Sequence, residues 1–321
     1  SNFGRQVLDE SAGVRIVALD ALTYGGNSEN LAAYLDRDDL TFMHGDICDP
    51  NVVAKAMNDA DVVVHFAAES HVDRSLHGGA EFIQTNVQGT QVLLEQAKKQ
   101  TLKCFVQIST DEVYGALGKT GKFTEKTPLS PNSPYSASKA GSDLLAMAYH
   151  HTFGLPVMIT RCSNNYGPYQ FPEKIIPLFI TNLMEDKKVP VYGDGMQVRD
   201  WIHVADHCRA VRRVIEKGKP GEVYNIGGNN ELANIDLTRQ LLQLLGKDDS
   251  FIEHVTDRLG HDRRYAVDIS KIHAELGWQP SVNFADGLRD TVQWYQTNEP
   301  WWRAIKSGEY LQYYQKQYGS G

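Results

Sequence analysis

The strongest constraint on the fold is an alternation. Short apolar runs at residues 14–19, 40–44, 62–66, 104–108, 157–160 and 223–226 are separated by longer segments, several with helical spacing of their apolar side chains. The run at 62–66 is almost unbroken, as in a strand covered on both faces, and residues 80–99 place Phe82, Ile83, Val87, Val92, Leu93 and Leu94 on one broad helical side. Strands alternating with helices of this size predict an α/β fold, a doubly wound parallel sheet with right-handed crossovers. Further helices are predicted at 175–183, 235–245 and 284–295, an extended segment at 189–192, and a return of the chain toward the first lobe at 199–204. The predicted division is interleaved: residues 1–163 and 194–230 in a dinucleotide-binding lobe, 164–193 and 231–321 in a smaller substrate lobe.

In such sheets ligands lie beyond the carboxyl ends of the strands. Asp20 ends the first apolar run, where a carboxylate suits the ribose hydroxyls of NAD and repels a 2′-phosphate; a loop-capping Asp is the plainer alternative. A Gly-rich turn after an earlier strand would normally accompany it, yet the sequence opens on the helix that such a turn should introduce. We therefore expect a strand and Gly-rich turn ahead of Ser1, since a helix N-terminus is the usual pyrophosphate site.

Composition removes other classes. A net charge of −8 with dispersed signs and no basic run argues against a nucleic-acid or membrane-surface partner. Cys48, Cys104, Cys162 and Cys208 lack CxxC spacing, which reads as neutral thiols in a reducing compartment and disfavours a metal site. No apolar run approaches a membrane span and residues 1–4 carry no signal-peptide pattern, so a cytoplasmic protein is expected.

The reactive candidates lie between 108 and 139. Thr110, Asp111 and Glu112 follow a predicted strand, and Tyr135 and Lys139, four apart, share a helix face. A phenol near its ordinary pKa of about 10 is a poor base. A neighbouring ammonium and an oxidised nicotinamide would lower it, letting Tyr135 accept a hydroxyl proton as hydride leaves the same carbon. Adjacent carboxyls can divide their labour, one protonated as an acid and the other ionised as a base, which is what an elimination needs. An exposed Tyr beside a solvated Lys, and an N-capping Asp-Glu, are the alternatives for each pair taken alone.

Taken together, Ser-Thr-Asp-Glu-Val-Tyr-Gly at 109–115, Ala-Ala-Glu-Ser-His-Val-Asp-Arg-Ser at 67–75, Tyr-Ser-Ala-Ser-Lys at 135–139 and Ser-Asn-Asn-Tyr-Gly-Pro at 163–168 resemble the dTDP-glucose 4,6-dehydratases. These are extended short-chain dehydrogenases/reductases of Rossmann type. Pro-Glu-Lys at 172–174, Arg-Asp-Trp at 199–201 and Gly-His-Asp-Arg-Arg-Tyr at 260–265 carry the resemblance over nearly the whole chain; Leu259 stands where the family usually has Pro. The resemblance implies NAD as cofactor, dTDP-glucose as substrate and a homodimer built on helices at 80–99 and 135–153. It implies catalytic roles for Thr110, Asp111, Glu112, Tyr135 and Lys139. It assigns NAD contacts to Asp20, Ala21, Leu22, Thr23, Asp46, Ile47, Phe66, Ala67, Ala68, Thr85, Tyr135, Lys139 and Asn165. It assigns nucleotide-sugar contacts to Ser70, Thr110, Asn164, Lys174, Pro190, Tyr192, Arg199, Asn234 and residues 261–265, including His261 and Tyr265; for Arg263 and Arg264 ordinary surface charge is the alternative. A 4-epimerase of the same fold would share Tyr135 and Lys139 but typically carries small or neutral residues at 111 and 112. A non-catalytic sensor of NAD or nucleotide sugar should have lost at least one of the five.

Overall fold

The computed structural model describes residues 1–307; the aromatic-rich end of the chain and its terminal Gly319-Ser320-Gly321 lie outside them. In chain order the elements are α1 (Asn2–Glu10), β1 (Ile16–Asp20), β2 (Leu40–His44), α2 (Pro50–Ala56), β3 (Val62–His65), α3 (Val72–His77), α4 (Ala80–Phe82) and α5 (Thr90–Ala97), then β4 (Cys104–Thr110), α6 (Pro134–Phe153), β5 (Val157–Cys162) and β6 (Asn164–Tyr166). The rest of the chain adds α7 (Ile175–Met184), β7 (Val189–Tyr192), β8 (Val198–His203), α8 (Val204–Lys217), β9 (Val223–Ile226), β10 (Glu231–Ala233), α9 (Asn234–Leu244), β11 (Ile252–Val255), α10 (Ser270–Leu276), α11 (Phe284–Thr297) and α12 (Glu299–Ile305).

The predicted parallel sheet is present in two hydrogen-bonded pieces. One has the order β3-β4-β5-β9 and the other pairs β1 with β2, all parallel. Every residue of β4 is buried. Its side chains alternate between two apolar layers. Phe105, with Val157 and Ile159 of β5, meets Leu93, Leu94 and Ala146 of the helices on one face, while Val106, Ile108 and Met158 meet Ala210, Val211 and Val214 of α8 on the other. Helices on both faces account for the unbroken apolar runs in the sequence. A third core joins α7, α9, α11 and α12 through Phe179, Leu183, Leu237, Leu241, Tyr295 and Trp302.

One expectation needs correction. The helix at 80–99 is interrupted: α4 passes into a π-helical segment, Ile83–Gly89, before α5 resumes. There the buried Asn86 accepts from Glu69 N (2.9 Å) and donates to Glu69 O (2.9 Å) and Ser138 Oγ (2.8 Å). A local change in helical winding leaves the apolar pattern nearly unchanged, so spacing did not reveal it. The segment at 199–204 brings Ile202 into the core shared with Val106, Ile108 and Met158 without joining the main sheet. As β8 it pairs with β6 and β10, and the return is made by α8, which packs against β4, β5 and β9.

Two local devices place the candidate reactive residues. Thr110 caps the 3₁₀ turn Asp111–Tyr114, its side chain accepting from Glu112 N, and Gly115 closes that turn at φ 86°, ψ −154°. Ser133 and Ser136 form a reciprocal cap with Pro134 in the first turn of α6, so Tyr135 sits at the entry of a well-defined helix that ends on left-handed Gly154. At Gly115 a Cβ would lie 2.3 Å from Ser130 O in backbone territory that only glycine occupies readily. Gly115→Ala should therefore cost about 2–3 kcal/mol, read as a lower urea midpoint with little change in slope. A midpoint equal to that of the unsubstituted protein would show that the turn relaxes freely.

Candidate active site

The carboxyl end of β4 delivers two acids into a largely water-excluded place. Asp111 is 2% exposed, and its Oδ2 has no hydrogen-bond partner among the described residues; Oδ1 accepts from Thr110 Oγ1 at 3.3 Å. Burial pushes its carboxyl well above the ordinary range, and the charges of Glu112 and then Asp200 push it further. Asp200 is itself fixed by Gly228 N (3.0 Å) and Asn230 N (2.7 Å). Glu112, only part-buried by surface area, is also raised by desolvation, but Arg199, Lys174 and Arg258 oppose that rise. The neighbours are thus unequal: Asp111 has the stronger bias toward the neutral form, while Glu112 has three cations favouring its anion.

Tyr135 belongs to the same cluster. It is buried, and its phenol is acted on by Glu112, Cys162 and Asp111. Lys139 lies one turn further along α6, with Nζ donating to Ile108 O at 2.7 Å. Its pKa is lowered by burial, an effect that Asp143 and Cys162 counter. The expected depression of the Tyr135 phenol is not found in the protein alone. Burial first, then Glu112, raises it well above its usual value. A cationic nicotinamide would supply the opposing charge.

A second tier of charge surrounds Glu112. Lys174, at the start of α7, donates to Ser70 O (2.8 Å). Arg199 of β8 donates to Val198 O (2.9 Å) and Asp262 O (3.0 Å), and its guanidinium lies 4.3 Å from the Tyr265 ring centre. Tyr265 OH donates to Asp262 Oδ2 at 2.5 Å. Tyr192 of β7 donates to Asp73 Oδ2 (3.2 Å) and meets the His261 ring edge-on, while His261 pairs with Asp257 (2.6 Å). Pro190 lies on β7, Asn164 opens β6, and Asn234, which opens α9, has a buried Oδ1 with no partner among the described residues. Two of the candidates are engaged elsewhere. Arg263 makes a forked surface pair with Asp194 (2.8 and 3.0 Å), and Arg264 is tied to Glu231 (2.6 Å) and Gly121 O (2.9 Å).

Arg258 was missed in the sequence. It pairs with buried Asp73 through Nε (2.5 Å) and Nη2 (3.0 Å) and stands with Lys174 and Arg199 among the cations acting on Glu112. Its partner lies 185 positions away, a separation at which local spacing carries no signal.

The cofactor candidates follow the carboxyl ends of the parallel strands. Asp20 ends β1 and accepts from Leu22 N (2.8 Å), with Leu22 at φ 48°; Ala21 O lies 3.2 Å from His44 Nε2, and Gly26 N donates to Thr23 O in the turn that follows. Asp46 follows β2 and accepts from Cys48 N, and Ile47 is buried. Phe66, Ala67 and Ala68 follow β3; the Phe66 ring is exposed, 5.4 Å from that of Phe3. Thr85 lies in the π segment, and Asn165 donates to Ser163 O (3.1 Å) and contacts His207 Nδ1 (2.8 Å). Exposed carboxylates at two strand ends, small residues at a third and a Tyr–Lys pair at a fourth fit the donor and acceptor pattern of a nicotinamide dinucleotide. Among the described residues, no cluster of His, Cys, Asp or Glu suits a metal ion. Burial raises all four thiols, Cys162 to about 12 and the others to about 11, so they are neutral.

This parallel sheet with a Tyr–Lys pair and a buried acid couple defines a short-chain dehydrogenase/reductase-type enzyme adapted to elimination. Residues 1–291 match the family described as GDP-mannose 4,6 dehydratase. The chain is 52% identical to dTDP-glucose 4,6-dehydratase of Streptomyces niveus over 303 residues, covering 94% of this chain and 90% of that relative. The solved dTDP-glucose 4,6-dehydratase DesIV of Streptomyces venezuelae, with NAD bound, superposes with a TM-score of 0.93 at 53% identity, covering 95% and 96% of the two chains. A UDP-glucuronic acid 4-epimerase of Bacillus cereus shares the fold at TM-score 0.87 but only 30% identity, over 92% and 95%. The chain belongs to the dTDP-glucose 4,6-dehydratase family.

The raised Asp111 pKa has a consequence for stability. Between its unfolded and folded values the native state holds a proton that the unfolded chain has released, so stability falls as pH rises through that window. Asp111→Asn, which cannot ionise, should be more thermostable than the unsubstituted protein at mildly alkaline pH and nearly equal to it in acid, by about 2 °C per kcal/mol recovered. Parallel melting curves at every pH would contradict this.

Proposed function

We propose that this protein dehydrates dTDP-glucose to dTDP-4-keto-6-deoxyglucose in an NAD-dependent cycle with no net oxidation. NAD, held by the strand-end residues Asp20–Thr23, Asp46, Ile47, Phe66–Ala68, Thr85 and Asn165 with Tyr135 and Lys139, supplies the acceptor for the C4 hydride and the donor for its return to C6. Tyr135 takes the O4 proton while Thr110 orients that hydroxyl. The resulting ketone makes the C5 hydrogen acidic; Glu112 removes it, and Asp111 gives its proton to the C6 hydroxyl as water leaves. When hydride returns to C6, Glu112 gives its proton back to C5. The observation that carries this reading is the asymmetric acid pair, with its more strongly raised member buried and the other facing three cations.

Lys174, Arg199 and Arg258 suit a sugar diphosphate, whose oxygens accept from guanidinium forks and an ammonium. Ser70, Asn164, Pro190, Tyr192, Asn234, His261 and Tyr265 complete the nucleotide-sugar side. The two-lobe division at 164, 194 and 231 fits this arrangement, because a separate core unites α7, α9, α11 and α12. A homodimer is supported by exposed Ile83, Leu144 and Phe153 on the helices that the resemblance implicates. Among the described residues no helix is long and apolar enough to cross a membrane, and four free neutral thiols favour a cytoplasmic setting.

Incubation with NAD and dTDP-glucose should give a 4-keto-6-deoxy product; formation of dTDP-galactose would instead identify a 4-epimerase. Glu112→Gln should lower deuterium entry at C5 about a hundredfold or more while C4 hydride removal persists. Undiminished C5 labelling would remove Glu112 from the role of base. Leu144→Glu should halve the particle mass measured by light scattering, and an unchanged mass would place the interface elsewhere.

A further inference from the structure

Beneath the acid pair and the Tyr–Lys helix lies a buried polar chain that the proposed chemistry does not use. Asp143 on α6, one turn beyond Lys139, is 1% exposed and accepts from Arg161 Nε at 2.9 Å. Arg161, 5% exposed on β5, donates through Nη1 to Tyr114 OH at 3.0 Å, with its guanidinium 4.9 Å from that ring centre. Tyr114 OH donates to Asn225 Oδ1 at 2.7 Å. Asn225 on β9 in turn donates through its side chain to Phe123 O (3.1 Å) and through its backbone N–H to the Glu125 carboxylate (2.9 Å), while Tyr114 and Phe123 stack with ring centres 5.0 Å apart. Every group in the middle of this chain is removed from water.

Such an arrangement is poorly explained as a device for stability. Desolvating an ion pair commonly offsets its Coulomb attraction, and apolar residues of like volume often serve as well. Its placement offers a better reason. Tyr114 belongs to the same single turn as Asp111 and Glu112, and Asp143 lies on the helix that carries Tyr135 and Lys139. Arg161 stands between them on the strand next to β4, in register with Ser109. Its planar fork fixes two directions at once, which a lysine ammonium on a flexible stem does not.

We propose that Arg161 is a positioning residue: by gripping Tyr114 on one side and Asp143 on the other, it sets the separation between the Asp111–Glu112 turn and the Tyr135–Lys139 helix. Loosening that grip displaces the base from C5 more than it disturbs hydride removal at C4, because Tyr135 and Lys139 keep their helix cap and the Ile108 O contact. Lys174, Arg199 and Arg258 lie on other segments and keep the diphosphate in place. The inference rests on Glu112 being the C5 base.

The test compares Tyr114→Phe, which keeps the stacked ring and removes the hydroxyl, with Arg161→Lys and Glu112→Gln in single turnovers of dTDP-glucose in deuterated water. Tyr114→Phe should slow C5 proton loss about tenfold, leaving C4 hydride removal and KM within about twofold; Arg161→Lys should act in the same direction and more strongly. If Tyr114→Phe and Arg161→Lys slow both steps equally, or only lower the melting temperature, the network is structural and the inference falls. If Glu112→Gln suppresses C5 labelling while Tyr114→Phe is unselective, this inference alone is overturned. If Glu112→Gln leaves labelling intact, the base assignment fails and takes the inference with it.

Discussion

Two carboxyl groups on consecutive residues at the end of a wholly buried strand are an electrostatic problem that the rest of the structure answers. Asp111 and Glu112 cannot both be ionised there without a large cost. Desolvation, then Glu112 and Asp200, press Asp111 toward neutrality; desolvation also raises Glu112, but Arg199 from β8, Lys174 from α7 and Arg258 from the loop before His261 oppose that rise. Those cations come from segments separated by long stretches of chain. The third core, packed around Phe179, Leu237 and Tyr295, holds the helices beside them; it therefore supports the placement of these charges as well as the shape of the site.

The same economy extends to the Tyr–Lys pair. Lys139 spends a strong hydrogen bond on Ile108 O, the residue two before Thr110, and so ties α6 to β4 where the acids emerge. Asn86 in the π segment ties the same helix to the loop after β3 through Ser138 and Glu69. Helix, turn and cofactor loop are thereby fixed relative to one another by buried hydrogen bonds that water does not compete for. An enzyme that must move one hydride off and back onto a sugar, with an elimination between, needs this kind of fixed geometry.

Much of this was legible in the sequence because it is local. The apolar runs gave the strands, and Thr110-Asp111-Glu112 and Tyr135-xxx-Lys139 stood at strand end and helix start. Pairings across the fold were not legible. Asp73 with Arg258, Asp143 with Arg161, and Tyr114 with Asn225 join residues that no periodicity relates. The π segment escaped because a change in winding over seven residues leaves apolar positions roughly where a regular helix would put them. The raised Tyr135 pKa escaped because spacing shows that Lys139 is near but does not weigh its charge against burial.

The central claim is that the two neighbouring acids are biased unequally, with Asp111 the more strongly held toward its neutral form. Infrared difference spectroscopy between the unsubstituted protein and Asp111→Asn, near neutral pH, addresses it directly. The account predicts that the unsubstituted protein shows a protonated-carboxyl band that the substitution removes. Loss of a carboxylate band instead, with no protonated carboxyl at position 111, would contradict it.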